Sequence, residues 1–414
     1  MTQEEAFEIL ISGKNTLITG QAGTGKTYLL GRYIEYLNKK NLSVGITAST
    51  GIAGTHLNGV TIHSWCGMGI KEKMTNADIK KLFTKNKKAV KRIQEAKVLI
   101  IDEISMLHAY QLDLVDDICR RVRTGLGPFG GLQVVLCGDF FQLPPVSRVK
   151  NRGDFVNLSD AWETMDLQIC YLEKQYRQTE NNDLYRLLNE IRESRVSEES
   201  CELLATRLNF PFDETIIPTK LYTHNQNVDE YNLKRLMCLP DEEVIFDMKD
   251  SGDAFVVGQM KKGCLAPEQL RLKVGAVVMF VFNNFAKGYV NGTTGTVVGF
   301  DGETGHPMVQ TFRGEQILAA PIRWGAEEID FDAWIEQVPL RLAWAITIHK
   351  SQGMTLDYAE IDLSRAFTYG LGYVALSRVR DLGGLSLLGY NEMSLQVSDE
   401  AKRLDICLRE SGSL

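Results

Sequence analysis

Gly20-Gln21-Ala22-Gly23-Thr24-Gly25-Lys26-Thr27 fits the pattern G-x-x-x-x-G-K-[ST]. It follows a short apolar strand, Asn15-Thr16-Leu17-Ile18-Thr19, and opens a helix expected over Tyr28 to Asn38. That strand–turn–helix setting is the one a phosphate loop needs. Its glycines let backbone N–H groups converge on a β-phosphate at the positive end of the helix dipole. Gly23, Thr24 and Gly25 line the cradle, Lys26 is placed to pair with the β- and γ-phosphates, and the Thr27 hydroxyl is a ligand for Mg²⁺. A nucleoside triphosphate with Mg²⁺ is the expected ligand.

The neighbouring segments extend this unit into a parallel sheet. Short apolar runs at Ser43–Ala48, Val98–Ile101 and Gln133–Cys137 alternate with helical spacing, which means βαβ units with ligands at the carboxyl ends of the strands. The run Val98–Ile101 ends in Asp102-Glu103. Two acids closing a buried strand are costly unless a cation meets them. Asp102 suits the Mg²⁺ shell and Glu103 suits polarisation of an attacking water. The next run leads into Gly138-Asp139-Phe140-Phe141-Gln142, where Gln142 is placed to sense the γ-phosphate or position water.

Pro144-Pro145 closes the first unit, and 1–165 is read as one α/β domain. A second α/β unit is expected over 166–240 and 336–414, interrupted by a Gly-rich, β-branched insertion over 241–335 with Asn291-Gly292 as a turn signal. The aromatic residues Phe280, Phe282, Phe285 and Tyr289 of that insertion read as core. Two arginines of the second unit, Arg177 in Gln175-Tyr176-Arg177-Gln178 and Arg378 in Tyr373-Val374-Ala375-Leu376-Ser377-Arg378, can reach across a cleft to the γ-phosphate.

Composition narrows the class. With 414 residues, 44% apolar and 24% charged, the chain is an ordinary globular protein of more than one domain. Its longest apolar stretch, Val274 to Phe282, is too short to span a bilayer, and its acidic start is no export or transit signal. The eight cysteines show no C-x-x-C spacing, so most are expected to be buried free thiols in a reducing compartment. A net charge of −7 argues against non-specific coating of nucleic acid. Charge is nevertheless local: Lys71 to Lys97 holds ten Lys/Arg against three acids, a net of +7.

These blocks, with Thr47-Ala48-Ser49-Thr50-Gly51, Gly59-Val60-Thr61-Ile62-His63-Ser64, Asp102 to Leu107, Gly138 to Val146 and Ala345-Ile346-Thr347-Ile348-His349-Lys350-Ser351-Gln352-Gly353, resemble the Pif-one-type, RecD-like DNA helicases of superfamily 1B. The resemblance covers nearly the whole chain, and the run from Glu103 to Arg123 looks like the family's signature helix. It implies two RecA-like P-loop parallel-sheet motor domains with ATP between them, an SH3-like β-barrel insertion in the second, and a small wedge-bearing insertion at about 66–95 in the first. It implies movement 5′ to 3′ on single-stranded DNA, with tailed or forked duplex as substrate and a monomer on the strand. By family position Gln3 reads adenine, and Gln142, Arg177, Gly353 and Arg378 complete the nucleotide site. Thr50, His63, His349, Lys350, Ser351 and Gln352 become the DNA contacts. The resemblance leaves G-quadruplex and RNA–DNA hybrid substrates open, together with the cellular process (replication, repair or recombination). Free thiols and an acidic start lead to an expected cytoplasmic location, for a protein of prokaryotic or phage type. A protein that hydrolyses ATP to grip DNA without processive unwinding is the alternative.

Overall fold

Six strands form the first sheet: β1 Thr16–Gly20, β2 Val44–Ala48, β3 Val60–Thr61, β4 Val98–Asp102, β5 Gln133–Cys137 and β6 Gln168–Leu172. The structure is a computed structural model, and it describes residues 1–50, 57, 59–68, 74–145, 155–177, 182–213, 216–223, 228–312, 314–324 and 333–411. All pairings in this sheet are parallel, in the order β3-β2-β4-β5-β1-β6. Strands such as Val98-Leu99-Ile100-Ile101 are buried at every residue because helices cover both faces. One face takes α1 (Gln3–Ile11) and α2 (Lys26–Lys39), which bury Ala6, Leu10, Leu29, Leu30, Tyr33 and Leu37. The helix Ala109–Arg123 packs Leu112, Val115 and Ile118 on the other face. Thr2 and Glu5 form a reciprocal capping box that starts α1.

A second parallel sheet runs Ala345–Thr347, Thr219–Tyr222, Ala359–Leu363 and Leu385–Tyr390 in spatial order. Between its first two strands in sequence lies an antiparallel β region. Its main sheet has five strands, including Val277–Phe280, Thr294–Phe300 and Pro307–Thr311. Phe280 and Tyr289 are core there, buried with rings stacked 4.1 Å apart, and Phe282 is partly buried. The Phe285 side chain lies outside the described residues.

The sheets redraw two expected boundaries. Gln168–Leu172 pairs with β1 over five residues, so it completes the first sheet instead of opening the second unit at 166. Leu340–Leu342 pairs with Val278–Phe280, so the inserted β region extends past 335. In both cases an apolar strand fits either neighbouring sheet by composition, and only the pairing partner decides. The basic stretch forms two helices, Asn76–Lys85 and Lys87–Glu95, while 69–73 lies outside the described residues. One of its cations is internal: Arg92 donates to the carbonyls of Ser64 and Trp65 at 3.0 and 2.6 Å. Among the described residues no helix is long and apolar enough to cross a membrane. Four cysteines are buried, two partly buried, and Cys238 and Cys407 are exposed.

Candidate nucleotide and DNA site

The phosphate loop turns at Gly20, Gly23 and Gly25, with φ of 141°, 91° and 80°. A side chain at 23 would run into the Gln175 amide oxygen and Arg177, and one at 25 into the Gln3 amide nitrogen. Lys26 Nζ closes the loop by donating to the carbonyls of Gly20 and Gln21, each at 2.9 Å. Gln3 is buried behind the loop and donates to the carbonyls of Thr24 (3.2 Å) and Gly25 (3.4 Å). Thr24 is buried, whereas Thr27 lines a cavity of about 660 Å³ with Gly23, Gly25 and Lys26.

That cavity is the cleft between the two parallel sheets. Glu103, Gln142, Arg177, Gly353 and Arg378 all line it. So do residues that the motifs did not single out: Tyr176, Arg380, and Phe282 and Asn291 of the β region. A side chain at Gly292 would strike the Thr355 backbone, so the Asn291-Gly292 turn is seated directly against the segment following Gly353.

Charge in the cleft is unbalanced in favour of cations. Burial and the adjacent guanidiniums of Arg378 and Arg380 push Arg177 down to about 9. Arg177 donates to the Ser377 carbonyl at 2.7 Å. Arg378 is almost wholly buried; burial lowers it to about 10 against the opposing pull of Glu103, and it directs its donors to the Val374, Ser351 and Met354 carbonyls and the Ser377 hydroxyl. Mutually repelling arginines beside a P-loop lysine form a site made for a polyanion.

Asp102 ends β4 in a buried position and accepts from the Glu103 N–H at 2.8 Å and from the Cys137 thiol. Burial raises its carboxyl above the usual range. Glu103 sits in a left-handed backbone conformation (φ 52°, ψ 46°), and burial with the neighbouring Asp102 raises it to about 7. Thr27 and Asp102 together offer two hard oxygen donors, which fits a Mg²⁺ ion that keeps waters and phosphate oxygens as its other ligands.

The expected DNA contacts divide. Thr50 lies half-buried just beyond β2, and His349 and Lys350 are half-exposed on a turn after Ala345–Thr347, so all three sit at carboxyl ends of parallel strands. His63 is partly buried against the helix Ala109–Arg123, where its Nε2 accepts from the Gln111 amide at 2.9 Å. Ser351 and Gln352 are corrections. Ser351 is fully buried with its hydroxyl on the Ile348 carbonyl. Gln352 turns into the nucleotide cleft and donates to Glu103 Oε2 at 2.9 Å. These residues sit on a single 3₁₀ turn, whose successive side chains point about 120° apart, so His349 and Lys350 face outward and Ser351 and Gln352 inward, and the sequence does not say which. Phe367, which belongs to none of the motifs, is 55% exposed with its ring near-parallel to that of His349 at 6.3 Å.

Behind the cleft lies a buried polar network that no motif announced. Arg192 donates to Asp139 Oδ1 at 2.8 Å and to the Tyr373 hydroxyl at 3.0 Å. It also reaches the Tyr171 hydroxyl, which donates to Asp405 at 2.7 Å. Burial alone would raise Asp139, and the Arg192 guanidinium instead holds it below the usual carboxylate range.

Family comparisons agree with this geometry. A family model described as PIF1-like helicase matches residues 2–200, and one described as the DNA helicase Pif1 2B domain matches residues 258–300, inside the β region. The chain is 44% identical to an ATP-dependent DNA helicase Pif1 from Psychrobacter sp., covering 98% of this chain and 70% of that protein. It is 38% identical to the ATP-dependent DNA helicase PIF1 of Xenopus laevis, covering 94% of this chain and 61% of that protein. Among solved structures, unliganded Pif1 from Bacteroides sp. superposes with a TM-score of 0.81 at 30% identity, covering 100% of this chain and 97% of that one. The similarity runs along almost the full length of the chain, which belongs to the PIF1-like family of ATP-dependent DNA helicases.

Proposed function

We propose that this helicase translocates 5′ to 3′ on single-stranded DNA as a monomer, unwinding tailed or forked duplex, with each step driven by ATP hydrolysis in the cleft. One observation carries the coupling: Gln352, which touches Glu103, directly follows the turn that holds His349 and Lys350 at a strand end. A strand bound at that turn acts on the hydrolytic carboxylate through two or three residues of backbone. Solved Pif1 structures from Bacteroides bound to single-stranded DNA and to ADP-AlF4 support both halves of the reading.

In this scheme Lys26 and the loop amides hold the triphosphate, with Arg177 and Arg378 supplying charge as it builds up in the transition state. Glu103 in its ionised form takes the proton of the attacking water, which Gln142 helps to position. Thr27 and Asp102 would hold Mg²⁺, which neutralises phosphate charge when bound. Gln3 keeps the adenine-reading role while bracing the loop from behind, and the exposed Tyr176 beside Gly25 offers a ring face to the base. Thr50, His63, His349 and Lys350 grip the strand, and the basic helices between 76 and 95 meet the duplex at the fork. The work served is DNA replication, repair or recombination in the cytoplasm.

The test is steady-state ATP hydrolysis with Mg²⁺, with and without single-stranded DNA, using Lys26→Ala as blank. A large DNA-dependent rise, followed by unwinding of 5′-tailed but not 3′-tailed duplex, is expected. A rate indifferent to DNA overturns the coupling, and unwinding from 3′ tails overturns the direction.

A further inference from the structure

Ala22, the third residue of the phosphate loop, is clamped on both sides of its backbone. Its N–H donates to the Tyr373 hydroxyl at 3.1 Å, and its carbonyl accepts from the Gln175 amide at 2.8 Å. Tyr373 belongs to the short helix Leu371–Leu376 between strands of the second sheet, so its bond to Ala22 crosses the cleft between the two motors. The same helix runs directly into Ser377 and Arg378.

The hydroxyl is fully committed. It accepts from Ala22 N–H and from Arg192 Nη1 (3.0 Å) and donates to Asp139 Oδ2 (3.0 Å), which uses its one proton and both lone pairs. Arg192 and Asp139 are themselves buried, with the guanidinium 4.0 Å above the Phe141 ring. Burying an ion pair gains little net stability over apolar packing, and its best-attested effect is a fixed register between elements. Here the elements in register are the phosphate loop, the end of β5 that leads to Gln142, the helix Asp183–Glu193 and the helix that delivers Arg378. Gly370, just before that helix, adds a close contact, since a side chain there would strike the Phe141 and Gln142 carbonyls.

We propose that Tyr373 is a positioning residue for ATP hydrolysis: its hydroxyl, aimed by Asp139 and Arg192, fixes the phosphate loop at Ala22 relative to the helix carrying Arg378. The inference rests on the site's reading as a hydrolytic cleft, and a structural filler at 373 would need only the ring.

Tyr373→Phe removes the hydroxyl and keeps the ring. Two readouts test it: hydrogen–deuterium exchange of peptides covering Ala22 in the nucleotide-free protein, and kcat against KM for DNA-stimulated ATP hydrolysis. The expected result is exchange at Ala22 roughly tenfold faster, with kcat down about 5- to 50-fold and KM for ATP changed by less than about threefold. Arg192→Lys keeps a cation opposite Asp139 but loses the forked donor, and should move both readouts the same way by less. Wild-type exchange and an unchanged kcat in both variants, even with a lowered melting temperature, overturn the proposal. If the wild type itself shows no stimulation by DNA, the coupled-motor reading fails while the exchange measurement still decides the Ala22 contact.

Discussion

Gln352 donates its side-chain amide to Glu103 Oε2 across the cleft, at 2.9 Å, and the same nitrogen lies 3.3 Å from Gln142 Oε1. The carboxylate proposed to accept the water's proton is thus held by the motor that does not carry it. Burial and Asp102 push Glu103 up to about 7, while Lys26 and Arg378 pull it down. Of the groups that set Glu103, Arg378 and Gln352 come from the opposite side of the cleft.

In the proposed mechanism ionised Glu103 is the active form, so kcat/KM for ATP should rise with pH through an apparent pKa near 7 in the free enzyme. Donation from Gln352 favours the ionised carboxylate. Gln352→Ala should accordingly move that acid limb to higher pH and lower the plateau by roughly 10-fold, the worth of a hydrogen bond to a charged group. A pH–rate profile at saturating DNA reads both. A limb that stays put after the substitution separates Gln352 from the base.

Gly23 has φ 91° and faces Gln175 and Arg177. An alanine there meets about 1–2 kcal/mol of backbone strain and a collision with the Gln175 amide that clamps Ala22. Gly23→Ala should abolish nucleotide binding, measured by titration with a fluorescent ATP analogue, while single-stranded DNA still binds. Retained nucleotide affinity would show that the loop reaches its working shape without the left-handed turn.

Arg177 is depressed to about 9 because burial strips its water and Arg378 and Arg380 repel it. A triphosphate relieves that repulsion. Arg177→Ala should cut kcat by about 10²- to 10³-fold, the usual loss when one transition-state donor goes, with a smaller change in KM. Arg177→Lys should recover little, because an ammonium cannot reproduce the fork that also holds the Ser377 carbonyl. Stopped-flow measurement of phosphate release separates the two parameters.

The nucleotide half of the site was legible because its chemistry is written locally. A loop that needs three glycines at positive φ and a lysine, or a buried strand that ends in two acids, suits little besides a bound phosphate and its metal. The parallel order of the first sheet followed from the same alternation of strands and helices. Pairing partners did not: Gln168–Leu172 and Leu340–Leu342 are apolar enough to join either neighbour, and each joined the sheet before it in the chain. Side-chain direction on a single turn is also out of the sequence's reach, which is why Ser351 and Gln352 read as DNA contacts although they face inward. Arg192 illustrates the limit most sharply. Its helix, Asp183–Glu193, reads as an ordinary amphipathic one, and nothing near it in sequence foretells that it will meet Asp139, 53 residues earlier, and Tyr373, 181 residues later.

Phe367 is where the strand's bases are expected to stack. It is 55% exposed on a turn that is already braced, since Asn391 donates to the Ser364 and Ala366 carbonyls at 3.3 and 2.9 Å. Its ring is stacked within 18° of parallel on that of His349, near the carboxyl end of Ala359–Leu363, with the exposed Arg365 two residues away for a phosphate. A single exposed aromatic is commonplace on protein surfaces, but a preordered one beside the strand-gripping turn avoids an ordering cost on binding. Stacking on an aromatic ring is worth about 1–3 kcal/mol per base, so Phe367→Ala should weaken binding of single-stranded DNA by roughly 5- to 100-fold. Phe367→Tyr, which keeps the ring, should bind as the wild type does. Quenching of 2-aminopurine in a short oligonucleotide gives the direct signature, lost in the alanine variant and kept in the tyrosine one. Equal affinity and equal quenching in the alanine variant would leave the grip to hydrogen bonds and charge at His349, Lys350 and Thr50 alone.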